Sequence, residues 1–394
     1  MNHILVLYEK FNPTVWGMTR VIMKYAEANR CACHAVRSMD LKKSELCRAD
    51  VVICLRGYSC LEEKIIVKAH HMGKFCISYW DDDLLNPHPD YMILKSRQVA
   101  MKQILMNSEM VFSPNPLLGE KYAAHTIQNR FALERTIINP AEITTHSRIK
   151  KNGKIKVVYA ASKGHTKTFN AIILPFMDEL CRQFGDRISL TFIGLEPDLS
   201  HYSDRLEIYT LSGMPLEEYR AHMREAKYDI GLAPLRGIGF DQYKYYNKFI
   251  EYTMAGIVGI YTDCAPYNLI VKDGVNGNGC LCGNTANGWI NAIKKLTDDD
   301  ILRNQCLENA QEQLKKEFNR DIVYNMYRKQ IPELKEYHSK KDSSVRGTLF
   351  FYKLEYLLFR FREMLFILFC HIKAEGFAPT CSRIMARMKR FSFV

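Results

Sequence analysis

The sequence contains no run of about 18 uncharged apolar residues, so it predicts no conventional transmembrane helix. Its first residues, MNHILVLYE, have neither a basic leading segment nor a long apolar stretch, and we interpret them as a strand rather than a secretory signal. The 13 cysteines are an odd number. In a long chain without such a signal, this count favours reduced thiols over a disulfide framework. We therefore expect a cytoplasmic globular protein.

Signals for metal and nucleic-acid binding are also weak. The C-x-C pairs Cys31/Cys33 and Cys280/Cys282 have no second pair of cysteines or histidines to complete a zinc site. The segment QYKYYNK mixes aromatic and basic residues, but no recognisable nucleic-acid-binding motif accompanies it. We expect no nucleic-acid partner, so the net charge of +12 is left for a membrane surface or a phosphate-bearing ligand.

Strand and helix patterns alternate in two series, separated by the polar segment 139–153. Predicted strands lie at 3–8, 51–55, 75–80, 110–112, 155–161, 188–194, 206–209, 229–234 and 258–261. Predicted helices between them include 18–29 and 169–184. This alternation predicts two α/β domains, each a parallel sheet with helices on both faces. We place a Rossmann-like N-terminal domain at residues 1–145, a Rossmann-like C-terminal domain at 153–335 and a basic helical tail at 336–394.

The tail differs in character from the rest of the chain. Residues 335–394 contain twelve Lys or Arg against five Asp or Glu. Apolar residues recur at helical spacing along two stretches, which predicts amphipathic helices: Phe350, Leu354, Leu357, Phe361, Leu365, Leu368 and Ile372, then Phe377, Cys381, Ile384, Met388 and Phe391. Aromatic and basic residues on such a helix favour a membrane surface, contacted through 348–394. A helical hairpin packed on the body, or a partner-binding helix, remains an alternative.

Two facing parallel sheets form a cleft lined by strand-end loops and helix N-termini, which attract phosphate. The loop AASKGHTKTFN, residues 160–170, follows the first strand of the second domain. Its small residues allow close backbone approach. Candidate donors to phosphate oxygens are Ser162, Lys163, His165 and Lys167. Many strand–helix loops are small and polar, so a purely structural role stays open.

The stretch KYYNKFIEYTMAG, residues 244–256, predicts a helix that ends at Gly256. Its start near Tyr245 can offer backbone N–H groups to a diphosphate. Lys244 and Lys248 would share one face if both are helical. Glu251, one turn in, can accept two hydrogen bonds from a ribose diol. The alternative is that Glu251 only pairs with one of these lysines at the surface.

Residues 228–277, YDIGLAPLRGIGFDQYKYYNKFIEYTMAGIVGIYTDCAPYNLIVKDGVNG, resemble the donor-binding half of group 1 (family 4-like) glycosyltransferases. VVYAASKGHTK resembles the loop that opens this half, and GKFCISYWDDDLLNPHP, residues 73–89, is similar to the amino-terminal domain. The resemblance implies the GT-B fold and transfer of a sugar from a nucleoside diphosphate to an acceptor. It implies retention of anomeric configuration and no requirement for a metal or other cofactor.

Site roles also follow from the resemblance. Glu251 would hold the ribose, and Lys244, Lys248 and the loop 162–167 would neutralise the diphosphate. Gly17, which we expect to end the loop after the first strand, would admit the donor from the amino-terminal side. Many relatives carry a glutamate eight residues before Glu251, where this chain has Tyr243. Asp241 is the possible substitute, and with Lys248 it forms our pair of candidate catalytic residues.

The cluster Asp81–Asp83 follows a predicted strand. It can bind a divalent cation, make an acceptor-side or catalytic contact, or cap a loop or helix; the sheet pattern argues against the metal. His88 lies close to this cluster in the sequence, and we treat it as a bystander without a role of its own. We expect a peripheral enzyme at the inner face of a membrane that glycosylates a glycan or lipid-linked acceptor in surface polysaccharide or glycoconjugate synthesis. A catalytically silent nucleotide-sugar-binding protein and a GT-B nucleotide-sugar epimerase remain the alternatives.

Overall fold

The chain forms two parallel sheets in a computed structural model that describes residues 2–87, 93–144, 153–274, 276–339, 348–377 and 379. The two predicted α/β halves are confirmed. The predicted bystander His88, much of the polar segment 139–153 and most of the second amphipathic stretch after Phe377 lie outside the described residues.

The first sheet has six strands in the order β2-β1-β3-β4-β5-β6, all parallel. The strands are β1 His3–Tyr8, β2 Ala32–Arg37, β3 Val51–Leu55, β4 Phe75–Tyr79, β5 Met110–Ser113 and β6 Phe131–Leu133. Every residue of β3, β4 and β5 is buried, as expected for central strands covered on both faces. The edge strands β2 and β6 were not predicted, because they are only partly buried and carry a weak apolar signal.

The second sheet repeats this design with the order β12-β11-β10-β7-β8-β9. Its strands are β7 Ile155–Ala160, β8 Ile188–Ile193, β9 Glu207–Leu211, β10 Ile230–Ala233, β11 Val258–Thr262 and β12 Cys280–Cys282. Predicted and observed bounds of the first five agree to within a few residues at each end. The three-residue edge strand β12 was not predicted.

Helices cover both faces of each sheet. Around the first sheet lie α1 Pro13–Ala28, α2 Lys43–Arg48, α3 Cys60–His71, α4 Lys95–Met106 and α5 Pro116–Ala123. Around the second lie the single turn α6 Thr166–Thr168, α7 Met177–Phe184, α8 Leu216–Glu225, α9 Asn247–Met254, α10 Ala286–Asp298 and α11 Asp300–Glu317. Three further helices follow: α12 Arg320–Gln330, α13 Glu333–Glu336 and α14 Thr348–Glu375.

The last helices before the tail cross back to the first sheet. Val323, Tyr327 and Leu334 from α12 and α13 are buried in the same core as Ile53 and Ile77 of the first sheet. Tyr327 also exchanges hydrogen bonds with the backbone of Arg135, accepting at 3.3 Å and donating at 3.1 Å. The packing of residues 320–336 therefore differs from the predicted division, which grouped them with the second sheet. The domain limits themselves remain predictions.

Helix α14 packs on the first domain, where Leu349 and Tyr356 are buried. Within the described residues, no helix combines the length and apolar character needed to span a membrane.

Candidate functional site

The carboxyl edges of the two sheets face each other. Asn115, the N-cap residue of α5, donates through Nδ2 to the carbonyls of Gln242 at 3.0 Å and Lys244 at 2.7 Å. The hydroxyl of Tyr245 accepts a hydrogen bond of 3.3 Å from the backbone N–H of Thr136. These contacts join loops at the carboxyl ends of β5, β6 and β10, so the edge that binds ligands in open parallel sheets lies at the domain contact.

Both predicted donor-binding segments flank one reversal of strand order. In the second sheet the order reverses between the neighbouring strands β7 and β10. The loop 162–167 follows β7, and the loop leading into α9 follows β10. Ligands of open α/β sheets bind in the crevice at such a switch point. The topology therefore brings together two segments that lie far apart in the sequence.

A glycine in β10 allows α9 to lie close to the sheet. A Cβ atom on Gly231 would stand 2.5 Å from the ring of Tyr252, closer than any real contact. The Tyr252 hydroxyl donates to the Leu232 carbonyl at 2.9 Å. Buried against this strand, α9 directs its other face, with Lys248 and Glu251, toward the partly open edge.

Lys248, Glu251 and Tyr219 form one hydrogen-bonded group. Lys248 Nζ donates to Glu251 Oε2 at 2.6 Å and to the Tyr219 hydroxyl at 3.0 Å. That hydroxyl donates in turn to Glu251 Oε2 at 3.2 Å. Among the residues that the structure describes, no donor contacts Glu251 Oε1. The pairing foreseen as an alternative exists, yet it occupies only one carboxylate oxygen and leaves the other for a ligand hydroxyl.

The electrostatics of this group fix its protonation state. Burial opposes the charge on Lys248, but the Glu251 carboxylate outweighs it and raises the pKa of the Lys248 ammonium. Burial first, and then Glu251, raise the pKa of the Tyr219 phenol. At neutral pH Lys248 is therefore a cation and Tyr219 a hydrogen-bond donor. The group combines positive charge with an acceptor, as the diphosphate and ribose of a nucleotide require.

Lys244 and Lys248 do not share a helix face, and this expectation was wrong. Helix α9 begins only at Asn247, and Lys244 has an extended backbone after the 3-10 turn Gly239–Tyr243. Lys244 Nζ instead lies 3.2 Å from Asp241 Oδ1. The two lysines thus reach the edge from different segments.

Asp241 is almost fully buried, and both its oxygens are engaged. Oδ2 accepts a hydrogen bond from the backbone N–H of Arg236 at 3.2 Å, and Oδ1 faces Lys244. This carboxylate therefore orients the loop 236–244 and its lysine. Its predicted contact with a donor sugar stays a prediction. Tyr243, which stands where many relatives carry glutamate, lies under Lys121 with Nζ 4.2 Å from the ring centre.

The loop after β7 begins a broken helix rather than the continuous one predicted over 169–184. The order is a 3-10 turn at Lys163–His165, the turn α6, a π turn at Phe169–Ile173, a second 3-10 turn at Leu174–Phe176 and then α7. Pro175 explains the break, because proline lacks the N–H that a regular helix needs and clashes with the preceding turn. Ser162 and Lys167 are exposed and His165 is partly exposed, while the side chain of Lys163 lies outside the described part.

Gly194, after β8, permits a close backbone approach beside this loop. Its φ of +79° is in the left-handed region, and a Cβ atom would lie 2.9 Å from the Ala161 carbonyl. A side chain at this position would push against the start of the loop 162–167.

The facing edge of the first sheet carries Arg56 between two aspartates. Arg56, after β3, lies 3.3 Å from Asp81 Oδ1 through Nε and donates to Asp82 Oδ2 through Nη2 at 3.0 Å. The Thr14 hydroxyl donates to Asp81 Oδ2 at 3.0 Å. Burial first, then Asp81, raise the pKa of Asp82 to about 7, while Arg56 and Lys244 act in the opposite direction. The action of Lys244 on Asp82 shows that charges from the two sheets meet here.

Asp83 separates from its two neighbours. It is buried and accepts hydrogen bonds from Lys121 Nζ at 2.6 Å and from the Tyr122 hydroxyl at 2.8 Å. These bonds hold α5 to the loop after β4, the structural role foreseen for the cluster. Within the described ranges, no group of three or more His, Cys, Asp or Glu side chains is arranged to hold a metal ion.

Gly17 does not end a loop, as its predicted role required. Helix α1 starts earlier than expected, at Pro13, because the side chain of Asn12 caps it by accepting from the Val15 N–H at 2.9 Å. Gly17 therefore lies in the second turn, and a Cβ atom there would meet nothing within 4 Å. Gly17 is partly exposed, and its predicted contact with the donor stays a prediction.

Sequence reasoning missed Asn115, Arg56 and Tyr219. The dipeptide Asn115–Pro116 after a buried strand is an N-cap signal that can be read from the sequence. The contact of Asn115 with Lys244 cannot be read in this way. Arg56 follows the apolar run of β3 and carried no motif. Tyr219 looked like an ordinary position of a surface helix. All three act through partners that only the tertiary structure brings near.

Comparison with known proteins supports this architecture. No family model matches the chain, and no curated protein matches it in sequence. HepE of Anabaena, solved with UDP, has 12% identity and a TM-score of 0.57, over 84% of this chain and 100% of its own. The lipopolysaccharide outer core galactosyltransferase WaaB has 14% identity and a TM-score of 0.57, over 84% and 99%. An α-glucosyltransferase solved with UDP and DNA has 11% identity and a TM-score of 0.52, over 85% and 99%.

At these identities the likeness establishes the fold. The chain has the GT-B fold, with two parallel-sheet domains whose carboxyl edges face each other, as the resemblance to group 1 glycosyltransferases implied.

Proposed function

We propose that this protein is a glycosyltransferase that moves a sugar from a nucleoside diphosphate sugar to an acceptor. The observation that carries the proposal is the group of Lys248, Tyr219 and Glu251 at the switch point of the second sheet, with one Glu251 oxygen left for a ligand. HepE has been solved with UDP, with UDP and glucose, and with UDP-glucose. We therefore take UDP as the first nucleotide to test.

The donor would lie across the switch point. Glu251 accepts hydrogen bonds from the ribose diol, and Lys248 beside it balances the charge of this partly exposed carboxylate. Lys248, Lys244 and the loop 162–167, with Ser162, Lys163, His165 and Lys167, neutralise the diphosphate. Negative charge grows on the leaving diphosphate as the glycosidic bond breaks, so fixed positive charge there lowers the barrier. Tyr245 and Gly17 border this space from the domain contact and from α1.

We propose retention of anomeric configuration, with the acceptor attacking on the face from which the diphosphate departs. The leaving diphosphate then takes the acceptor's proton, and Lys248 stabilises the charge that remains. Asp241 acts by holding Lys244 in place. The transfer needs no metal in this scheme, because lysine side chains supply the positive charge that a divalent cation supplies elsewhere.

The acceptor would be a glycan or a lipid-linked glycan in surface polysaccharide or glycoconjugate synthesis. We place the protein at the cytoplasmic face of a membrane, as a peripheral protein that contacts the lipid surface through residues 348–394. This assignment rests on the basic, apolar character of that segment.

A catalytically silent nucleotide-sugar-binding protein is the second candidate. It is favoured by Tyr243, which stands where many relatives have a sugar-binding glutamate, and by the full engagement of Asp241. An epimerase would need no lipid acceptor, so the apolar tail speaks against it.

Calorimetric titration with UDP and with GDP tests the binding half of the proposal. We expect saturable binding of one nucleotide and a large loss in Glu251→Gln. Glu312→Gln is the matched control, because Glu312 forms a similar pair with Lys316 at 2.6 Å on the exposed face of α11. No binding of either nucleotide by the folded wild-type protein would refute the proposal.

Release of free nucleotide from the nucleotide sugar tests the catalytic half. Slow hydrolysis without an acceptor, lost in Lys248→Ala, supports a transferase. A protein that binds the nucleotide sugar tightly and never cleaves it, in the presence of membrane extracts as a source of acceptor, would be the silent alternative.

A further inference from the structure

Helix α14 packs one side on the first domain and exposes apolar residues on its other side. Its docked side holds Leu349, Tyr352, Tyr356 and Phe359, which pack against α3 and the loop after β2. Lys353 Nζ donates to the Leu41 carbonyl at 2.9 Å on the same side. The helix is therefore fixed to the first domain, as one of the sequence alternatives required.

The other side of α14 is apolar and exposed. The predicted stripe Phe350, Leu354, Leu357, Phe361 and Leu365 faces away from the body, with Phe350 69% and Phe361 54% exposed. Further exposed apolar neighbours widen it: Phe351, Leu358, Met364 and Phe369. We call these nine residues the apolar face. A contiguous exposed patch of this kind marks a binding surface.

Cations border the apolar face. At 100° per residue, Arg362 and Lys373 project about 100–120° to one side of Phe361, and both are exposed. Lys353 and Arg360 project about 80–100° to the other side, where Lys353 donates to the Leu41 carbonyl and Arg360 to Glu363. The stems of Arg362 and Lys373 can be buried while their charges reach phosphate groups. In the sequence, residues 378–394 carry four further cations, Arg383, Arg387, Lys389 and Arg390, and no Asp or Glu. An apolar face bordered by positive charge fits an anionic bilayer surface.

A buried ionic staple joins α14 to the carboxyl edge of the first sheet. Arg97, in the first turn of α4, donates to both oxygens of Glu9 at 2.9 and 3.2 Å and to both oxygens of Glu363 at 2.5 and 2.6 Å. The Tyr356 hydroxyl donates to Glu9 Oε1 at 2.6 Å. Glu9 directly follows β1, so the staple holds α14 at the edge that faces the second domain. The side chains of Arg97, Glu9 and Glu363 are all at most 8% exposed.

We propose that α14 lies in the head-group layer of an anionic bilayer, with its apolar face inserted, and that the Arg97–Glu9–Glu363–Tyr356 staple fixes the orientation of the acceptor edge toward that surface. The occupant of the apolar face is lipid. The acceptor class is then a molecule that stays in the membrane while its polar head reaches the edge beside Glu9. The acceptor part rests on the proposed transferase activity, whereas insertion deepens the proposed lipid contact of residues 348–394 and does not depend on that activity.

Vesicle sedimentation of the full chain tests insertion, without any nucleotide. We expect binding to vesicles of phosphatidylcholine and phosphatidylglycerol, weaker binding without phosphatidylglycerol, and at least about a tenfold loss in Leu357→Glu/Phe361→Glu. The matched control is Ile301→Glu, since Ile301 is an apolar, 83% exposed residue of α11, which packs on the second sheet. Thermal unfolding checks that both variants fold. Because no nucleotide is present, failure of the proposed transferase activity leaves this test intact.

Two results would overturn insertion. One is wild-type vesicle binding by the Leu357→Glu/Phe361→Glu variant. The other is a wild-type dimer in analytical ultracentrifugation that this variant converts to a monomer while vesicle binding is absent, because the apolar face would then bind a second copy of the chain.

Neutron reflectometry on a supported bilayer tests the staple. Glu363→Gln and the milder Tyr356→Phe keep the apolar face, so we expect vesicle binding within about twofold of wild type. The wild type should give one narrow protein profile along the membrane normal, and the staple variants a broader one. Identical profiles for variants that bind normally would refute the orienting role while leaving insertion in place.

Discussion

The carboxyl edges of the two sheets differ in charge and in the origin of their contacts. At the edge of the second sheet, lysines pair with acidic residues three positions away, Lys244 with Asp241 and Lys248 with Glu251. At the edge of the first sheet, Arg56 meets Asp81 and Asp82 from another strand end. At the second sheet, each lysine is held by an acidic residue close to it in the sequence. At the first sheet, the carboxylates are held by an arginine from a distant part of the chain.

This difference suits two kinds of ligand. In the proposed complex, the lysines at the rim of the second sheet supply fixed positive charge where negative charge develops on the diphosphate. Acceptor hydroxyls need hydrogen-bond acceptors at fixed positions, and the aspartates of the first sheet, held by Arg56, provide these. Substituting one residue of either edge at a time tests this contrast.

The largest expected effect is on turnover in Lys248→Ala. Loss of this cation should lower kcat by about 100- to 1000-fold, as removal of one preorganised group that stabilises transition-state charge does elsewhere. Nucleotide affinity should fall much less, because Tyr219 still donates to Glu251. Lys163→Ala, on the other side of the switch point, is expected to give the smaller loss. The reverse order would move the main diphosphate contact to the loop after β7.

Glu251→Gln should weaken UDP binding by about 10- to 100-fold, the value of charge-assisted hydrogen bonds to the ribose. A thermodynamic cycle with 2′-deoxy-UDP sharpens the test. The wild type should prefer UDP over the deoxy nucleotide, and the variant should lose most of that preference. An unchanged preference would show that Glu251 does not bind the ribose and only pairs with Lys248.

The same contrast explains what the sequence could predict. The fully buried strands β3 and β8 and the pair around Lys248 depend on neighbours in the sequence, and their patterns were readable. The start of α1 was equally readable from Asn12 and Pro13 but was placed five residues late. Arg56, Asn115 and Tyr219 depend on partners from other strands or helices, so no local pattern announces them. The half-buried edge strand β2 was not predicted, because small residues weaken its alternation of apolar and polar side chains.

Arg56→Met tests whether the cation holds the first edge together. Arg56 is about four-fifths buried between two carboxylates, so its loss should lower the free energy of unfolding by about 1–2 kcal/mol. The control Arg37→Met breaks a pair with Asp40 in which both side chains are more than half exposed, and should change stability much less than Arg56→Met does. Equal effects in urea denaturation would contradict the distinction between the two pairs.

Asp82→Asn should give a smaller, pH-dependent change. Burial and Asp81 raise the pKa of Asp82 to about 7, above the value of about 3.9 for an unfolded aspartate. Between these values the folded state binds a proton that the unfolded state has lost, so this group's contribution to stability falls as pH rises from about 4 to about 7. Two other buried carboxyl groups, Glu62 and Glu134, have pKa values raised by burial to about 8, so they titrate in a neighbouring pH range. The informative quantity is therefore the difference in Tm between variant and wild type, which should grow with pH.

Nucleotide binding should couple to this proton. Lys244 lowers the pKa of Asp82 across the domain contact. In the proposed complex, the diphosphate neutralises the positive charge of Lys244. The pKa of Asp82 should then rise further, so UDP binding near pH 7 should take up a fraction of a proton. Calorimetry in two buffers of different ionisation enthalpy measures that uptake, which Asp82→Asn should abolish without a large change in affinity. Equal proton uptake in both proteins would show that the charges of the two edges respond to the nucleotide independently.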